Sequence, residues 1–176
     1  FYSDSVGPDR ATIIEDNEEA LKMRLRVIKD AQKTLILSTF DFRSDDAGKD
    51  ILAALLNAAD RGVKVEIFAD GFNSIIQMEN NDYFYALSSN KNIKIIIYNQ
   101  VNILIPWNGL GRMHDKYVIA DDSLYILGGR NTFGYFLGDY AGHKNYDRDV
   151  LVYNTGSKAS SIYQIKDYYK KITSQK

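Results

Sequence analysis

From Asp16 to Tyr98 the chain alternates, three times over, a helical stripe of apolar residues with a short run rich in Ile, Val, Leu and Thr, and few architectures accept that rhythm. Asp16-Asn17-Glu18-Glu19 supplies an N-cap and first-turn acids; Leu21, Leu25 and Ile28 then recur at helical spacing to about Lys33. Thr34 to Phe40 follows as a strand. Ser44-Asp45-Asp46 caps a second helix with Ile51, Leu52, Leu55, Leu56 and Ala59 on one face, and Gly62 stops it before a strand from Val63 to Ala69. A third helix is predicted around Ile75 to Ser89, interrupted by Asn80-Asn81-Asp82, ahead of a strand from Ile93 to Tyr98. Units of this kind favour parallel strands covered by helices on both faces.

Downstream the spacing shortens. His114 to Ala120 and Ser123 to Gly129 read as two strands joined by Asp121-Asp122, Asp149 to Asn154 as another, and Ser157 to about Ile172 as a closing helix with Ile162, Ile165 and Tyr169 inward. These additions bring antiparallel pairing. The expectation is an α/β fold, an α/β/α sandwich with a central mixed, largely parallel sheet, preceded by an irregular arm over residues 1–15. A length of 176 residues suits one domain, 1–176. The first residue is Phe1 rather than Met, so the expectation is a half-domain excised from something longer.

Composition removes several function classes. With 22 Lys+Arg against 23 Asp+Glu the net charge is -1, which argues against nucleic acid as the partner while leaving room for a local basic groove. The absence of Cys excludes disulfides, thiolate zinc sites and Cys nucleophiles within the chain. No apolar run approaches the roughly 20 residues of a spanning helix; the segment itself is expected to be soluble.

Only two histidines are present, and the spacing around one is informative. In Met113-His114-Asp115-Lys116-Tyr117 an extended backbone turns His114 and Lys116 to one side and Tyr117 to the other. The next strand ends Gly128-Gly129-Arg130-Asn131, where two residues without side chains let an anionic group approach the backbone and Asn131 can donate hydrogen bonds. An imidazole, an ammonium and an amide together suit a phosphoryl group.

His114, Lys116, Asp121, Gly128, Gly129 and Asn131 stand at every spacing of the phospholipase D superfamily signature, His-x-Lys, four residues, Asp, six residues, Gly-Gly, one residue, Asn, which the chain therefore resembles. Six such coincidences arise by chance on the order of once in 10⁷ placements. The order of elements around the motif fits the family's repeating half. Ala58-Ala59-Asp60-Arg61-Gly62-Val63-Lys64-Val65 and Asp147-Arg148-Asp149-Val150-Leu151-Val152 look most like the N-terminal half of bacterial cardiolipin synthases.

The resemblance implies a route in which His114 attacks phosphorus, a phosphohistidine forms, and water or an alcohol displaces it. Lys116 and Asn131 would offset charge on the equatorial oxygens, and the backbone of Gly128 and Gly129 would approach the phosphate. That route calls for no metal and no cofactor. The family places an acid after the Gly-Gly segment to orient the histidine; Asp149 is the first choice and Asp147 the second. Asp121 has the opposite parity and opens a turn, so a structural role is expected. His143 lacks a following x-Lys, so the chain supplies half a site. The other half would come from the parent chain or from an identical partner.

Other features stay open at this level. His143 reads as a surface residue, and Arg130 as either a phosphate contact or a structural pair. The apolar segment from Val101 to Leu110 could form a lip at a membrane surface or pack on the core or a partner, and Phe133, Tyr135, Phe136, Leu137 and Tyr140 raise the same question. Three functions follow: half of a phosphatidyltransferase or phospholipase D acting on a phospholipid, with the parent protein at a membrane surface; a homodimeric phosphodiesterase or nuclease; and a fragment silent without its second half.

Overall fold

The structure, a computed structural model, describes residues 6–100 and 111–174. Seven strands form one sheet: β1 (Asp9–Ile14), β2 (Thr34–Thr39), β3 (Lys64–Asp70), β4 (Ile93–Tyr98), β5 (Tyr117–Ala120), β6 (Leu124–Gly128) and β7 (Asp149–Asn154). Five helices accompany them: α1 (Asn17–Asp30), α2 (Asp46–Asp60), α3 (Gly71–Gln77), α4 (Asp82–Ser88) and α5 (Ser161–Ser174). The strand order is β1-β7-β6-β5-β2-β3-β4.

The sheet is mixed, as expected, but its parallel part is confined to β2, β3 and β4; the four pairings from β2 through β5, β6 and β7 to β1 are antiparallel. Two helical crossovers, α2 between β2 and β3 and the α3–α4 pair between β3 and β4, account for the parallel pairs, and the tight turn at Asp121-Asp122 accounts for β5 and β6. The N-terminal arm is also more ordered than expected, since residues 9–14 form the edge strand β1 against β7. Its residues are mostly exposed and its apolar ones do not alternate, which hides the strand from an apolar pattern. Asp9 fastens this edge by accepting from the Ser161 backbone N–H at 2.9 Å and the Ser160 and Ser161 hydroxyls, and these hydrogen bonds hold its carboxyl below the usual range.

Alternation along the strands builds two cores. Leu35, Leu37, Val65, Ile67, Val118 and Ile126 face α1 and α2, joining Ile28, Ile51 and Leu55. Ile36, Phe68, Tyr117, Ile119 and Tyr125 face the other way, toward Ile162 and Tyr169 of α5. Helix boundaries follow local chemistry: Asp16 caps α1 through the Glu19 N–H, Asp45 caps α2 through the Gly48 N–H, and Gly62, at φ 95°, ends the α2 turn. The polar Asn80-Asn81-Asp82 break divides the third helical stretch into α3 and α4, with Asn81 capping α4. No helix among the described residues is long and apolar enough to cross a membrane.

Candidate active site

Because β5 and β7 run against their neighbours, the ends of β2, β3 and β6 and the beginnings of β5 and β7 meet at one end of the sheet. Crevices at the carboxyl ends of parallel strands are a usual place for ligands in such sheets. Here that end gathers Phe40, Asp70, the His114 segment, Asn131 and the acids Asp147 and Asp149.

His114 and Lys116 lie on the approach to β5, whose ladder starts only at Tyr117, so they are not strand residues as the sequence suggests. Their common side is kept. The His114 ring is exposed and meets Phe40 edge-on, centroids 4.7 Å apart, while the Lys116 ammonium sits 5.4 Å from the centroid of the same Phe40 ring. Lys116 is buried and donates to the carbonyl of His114 at 2.7 Å. A buried ammonium whose bond is to a neutral carbonyl is disfavoured. Burial therefore pushes the Lys116 amine below its ordinary value, opposed by the negative charges of Asp115 and Asp147. Asn131, also buried, accepts from the Asp41 N–H through its Oδ1 at 3.2 Å, which turns its amide nitrogen into a donor available to a ligand.

The two glycines play a different part from the one the sequence suggests. The Gly128 N–H donates to the carbonyl of Lys116 and the Gly129 N–H to that of Arg148, so both are committed to the protein's own backbone rather than to a phosphate. The anionic groups that come close are the protein's own carboxylates. A β-carbon on Gly128 would collide with Asp149 Oδ1 and lie 2.6 Å from the Arg148 carbonyl oxygen; one on Gly129 would collide with the Asp147 carboxylate. Each missing side chain makes room for one acid.

Those acids separate sharply. Asp149 Oδ2 accepts from Arg24 of α1 at 2.9 Å and from Arg130 at 3.1 Å, and all three side chains are buried. Through Oδ2 that carboxylate anchors a buried ion cluster, while its Oδ1 is buried without a hydrogen-bond partner, so no contact among the described residues ties Asp149 to His114, against the expectation that it orients the imidazole. The cause is pairing register: Asp149 sits opposite Gly128, in step with the Ile126–Leu151 pair that faces the α1 side. Asp147, two residues earlier, is half-buried beside Gly129, and its charge acts on Lys116.

Arg130 belongs wholly to this cluster, donating also to Asn17 Oδ1, the Ile14 carbonyl and the Glu15 carbonyl. Asp121 is an anchor at the opposite end of the sheet. At φ 53° its carboxylate accepts from the backbone N–H groups of Gln32, Lys33 and Thr34 at 2.8–2.9 Å, tying the entry of β2 to the β5–β6 turn. His143 is exposed, bonded to the Asn145 side chain at 2.9 Å and edge-on to Tyr135. The segment from Val101 to Leu110 lies outside the described residues. Phe133 and Leu137 are buried, and the Arg43 guanidinium lies 3.8 Å from the Phe133 ring centroid.

Sequence reasoning missed the support under His114. Asp70, fully buried at the end of β3, accepts from Arg112 Nε at 3.0 and 3.1 Å and from the Met113 N–H at 3.0 Å. Arg112 in turn lies 4.8 Å from the Phe40 centroid and 5.0 Å from that of Phe72. The one available signal was parity, since residues 112, 114 and 116 share a side.

Comparison with known proteins fits this geometry. Cardiolipin synthase B of Salmonella typhi is 32% identical over 142 residues, covering 80% of this chain and 34% of the relative; the chain thus spans about a third of the length of the curated relatives it matches. Among solved structures, NucT from Helicobacter pylori superposes with a TM-score of 0.72 at 21% identity, covering 93% of this chain and 95% of the other. Nuc from Salmonella typhimurium, a phospholipase D family member, gives 0.67 at 18%, covering 93% of each. Residues 25–172 match the family described as the PLD-like domain of cardiolipin synthase, and the chain belongs to that family of the phospholipase D superfamily.

Proposed function

We propose that this chain is one catalytic half of a phosphodiester-processing enzyme that works through a phosphohistidine on His114, and that its substrate is a phospholipid. The observation that carries this is the meeting of His114 and Lys116 on one aromatic ring, with Asn131 tethered to the adjacent residue, Asp41. A neutral imidazole nitrogen attacks phosphorus and the ester oxygen leaves. Lys116 and the Asn131 amide lie where charge grows on the phosphoryl oxygens. Asp147 is the acid we assign to the rim of this site. Water or an alcohol then attacks the phosphohistidine, giving hydrolysis or phosphatidyl transfer and releasing His114.

The leaving alkoxide needs a proton and the incoming alcohol needs a base. His143 sits in an exposed loop bonded to Asn145, so we assign both duties to a second half, in the parent chain or an identical partner. Similarity to cardiolipin synthase B and a net charge of -1 support a lipid substrate, with the parent protein at a membrane surface.

Turnover is tested on vesicles containing phosphatidylglycerol and on bis(p-nitrophenyl) phosphate, followed by a neutral quench and mass spectrometry. A phosphatidyl group on His114 from the vesicles, or a p-nitrophenyl phosphoryl group from the diester with release of one p-nitrophenolate, absent from His114→Ala, supports the reading. A His114→Ala protein with full activity ends it.

One observation favours a second reading, a homodimeric phosphodiesterase or nuclease: NucT and Nuc match this chain nearly end to end rather than over a third of their length. A dimer in sedimentation with DNA cleavage that falls steeply with salt would select it. A monomer without turnover on any phosphodiester would select a fragment dependent on its missing half.

A further inference from the structure

We infer that Phe40 is the positioning residue for His114: its ring is the common surface on which Arg112, His114 and Lys116 are held in register. The inference rests on the assignment of His114 as the nucleophile and adds what fixes that imidazole in place.

The need for such a device comes from the backbone. Residues 111–116 precede the β5 ladder, so no strand pairing holds the His114 main chain. Nor do the described residues offer its ring nitrogens a hydrogen bond; the one bond His114 makes among them is through its carbonyl, to Lys116. An exposed imidazole under those conditions moves among its rotamers. The contact that orients it is the edge-on meeting with Phe40, at 4.7 Å and 63° between ring planes.

Phe40 is well placed to impose that orientation. It follows the last residue of β2, which is flanked by β3 and β5, and its carbonyl accepts from the Asn73 side chain at 2.9 Å. Its ring is flanked by two cations, the Arg112 guanidinium at 4.8 Å and the Lys116 ammonium at 5.4 Å. Arg112 is itself fixed by the buried carboxylate of Asp70, which also holds the Met113 N–H. Residues 112 and 116 therefore bracket His114 on both sides, and a single ring reads the position of all three.

The test compares Phe40→Ala, Phe40→Leu and Phe40→Tyr by two readouts. In steady-state turnover of bis(p-nitrophenyl) phosphate, kcat should fall by about 30- to 100-fold in Phe40→Ala and by about 10-fold in Phe40→Leu, with KM within about threefold, because misplacement of a reacting group acts on kcat. Phe40→Tyr, which keeps the ring, should restore kcat to within about threefold of the parent. The second readout is independent of turnover. In proton NMR the His114 ring resonances should carry a ring-current displacement that persists in Phe40→Tyr and disappears in Phe40→Leu, which also serves if Phe40→Ala does not fold. Unchanged His114 resonances in Phe40→Leu, or a kcat equal to the parent's, overturn the inference. Loss of activity in His114→Ala together with an undiminished Phe40→Leu sinks the positioning role alone, whereas an active His114→Ala sinks the nucleophile assignment itself.

Discussion

Two glycine and aspartate pairs lie side by side at the end of the sheet that holds the candidate site, and they do opposite work. Gly128 makes room for Asp149, which is buried, held by two guanidinium groups and sealed against α1. Gly129 makes room for Asp147, which is half-buried and acts on the ammonium of Lys116. A shift of two residues along the chain converts a structural acid into one at the rim of the candidate site. The lesson is that burial and the number of partners, rather than proximity to the motif, sort anchors from chemistry.

The largest expected effect is on the anchor. Asp149→Ala leaves Arg24 and Arg130 buried without their counter-charge and should cost about 3–5 kcal/mol in urea unfolding, whereas Asp147→Ala should change stability by less than about 1 kcal/mol. Equal losses would break the contrast. Next comes Lys116→Met, which removes the group beside His114. It should lower kcat by about 10²- to 10³-fold while leaving the unfolding free energy unchanged or raised, because a buried ammonium gives way to an apolar chain. A stability loss as large as that of Asp149→Ala would instead make Lys116 an anchor.

The glycines sharpen the comparison at smaller scale. An added methyl at Gly128 would be 2.6 Å from the Arg148 carbonyl oxygen and 2.7 Å from Asp149 Cα, backbone atoms that can move only with β7 itself. Gly128→Ala should therefore cost about 3 kcal/mol. At Gly129 the three nearest atoms all belong to the Asp147 carboxyl group, which can rotate away. Gly129→Ala should cost about 1 kcal/mol in stability and lower kcat, because the methyl turns away the Asp147 carboxylate whose charge acts on Lys116. Parallel melts and rates for the two variants decide between these outcomes.

Much of this arrangement was legible before any coordinates. The rhythm from Asp16 to Tyr98 predicts β2, β3 and β4 because crossover units announce themselves through apolar period and caps, and the motif spacing points to His114, Lys116 and Asn131 without reference to fold. What stayed hidden depends on register. Choosing Asp147 over Asp149 required knowing that Asp149 pairs with Gly128 on the α1 face, and a strand's first paired residue is not marked in its sequence. Nothing in the apolar period of α1 marks Arg24, the partner of Asp149, as buried, yet it is. The edge strand β1 escaped notice because its residues are mostly exposed and show no apolar alternation. Phe40, Asp70 and Arg112 come together from three separate segments, and nothing local links them.

The smallest predicted effect is a pH dependence that reads the rim directly. Burial lowers the Lys116 amine from its ordinary value of 10.5, while Asp115 and Asp147 pull it back up. Below the lowered value the folded and unfolded chains both carry the proton, and the full cost of burying the ammonium is present. Between that value and 10.5 the unfolded chain binds the proton that the folded chain has released, so stability rises with pH across this window. The stability advantage of Lys116→Met over the parent should therefore be greatest near neutral pH and shrink as the pH climbs through the window, with other titrating groups cancelling between the two proteins. Adding Asp147→Asn to both proteins removes one of the two charges that hold the proton on Lys116, and the shrinkage should then begin at lower pH. Shrinkage that begins at the same pH with and without the Asp147 charge would show that this carboxylate does not act on the ammonium and would leave the rim with no counterpart to the Asp149 cluster beneath it.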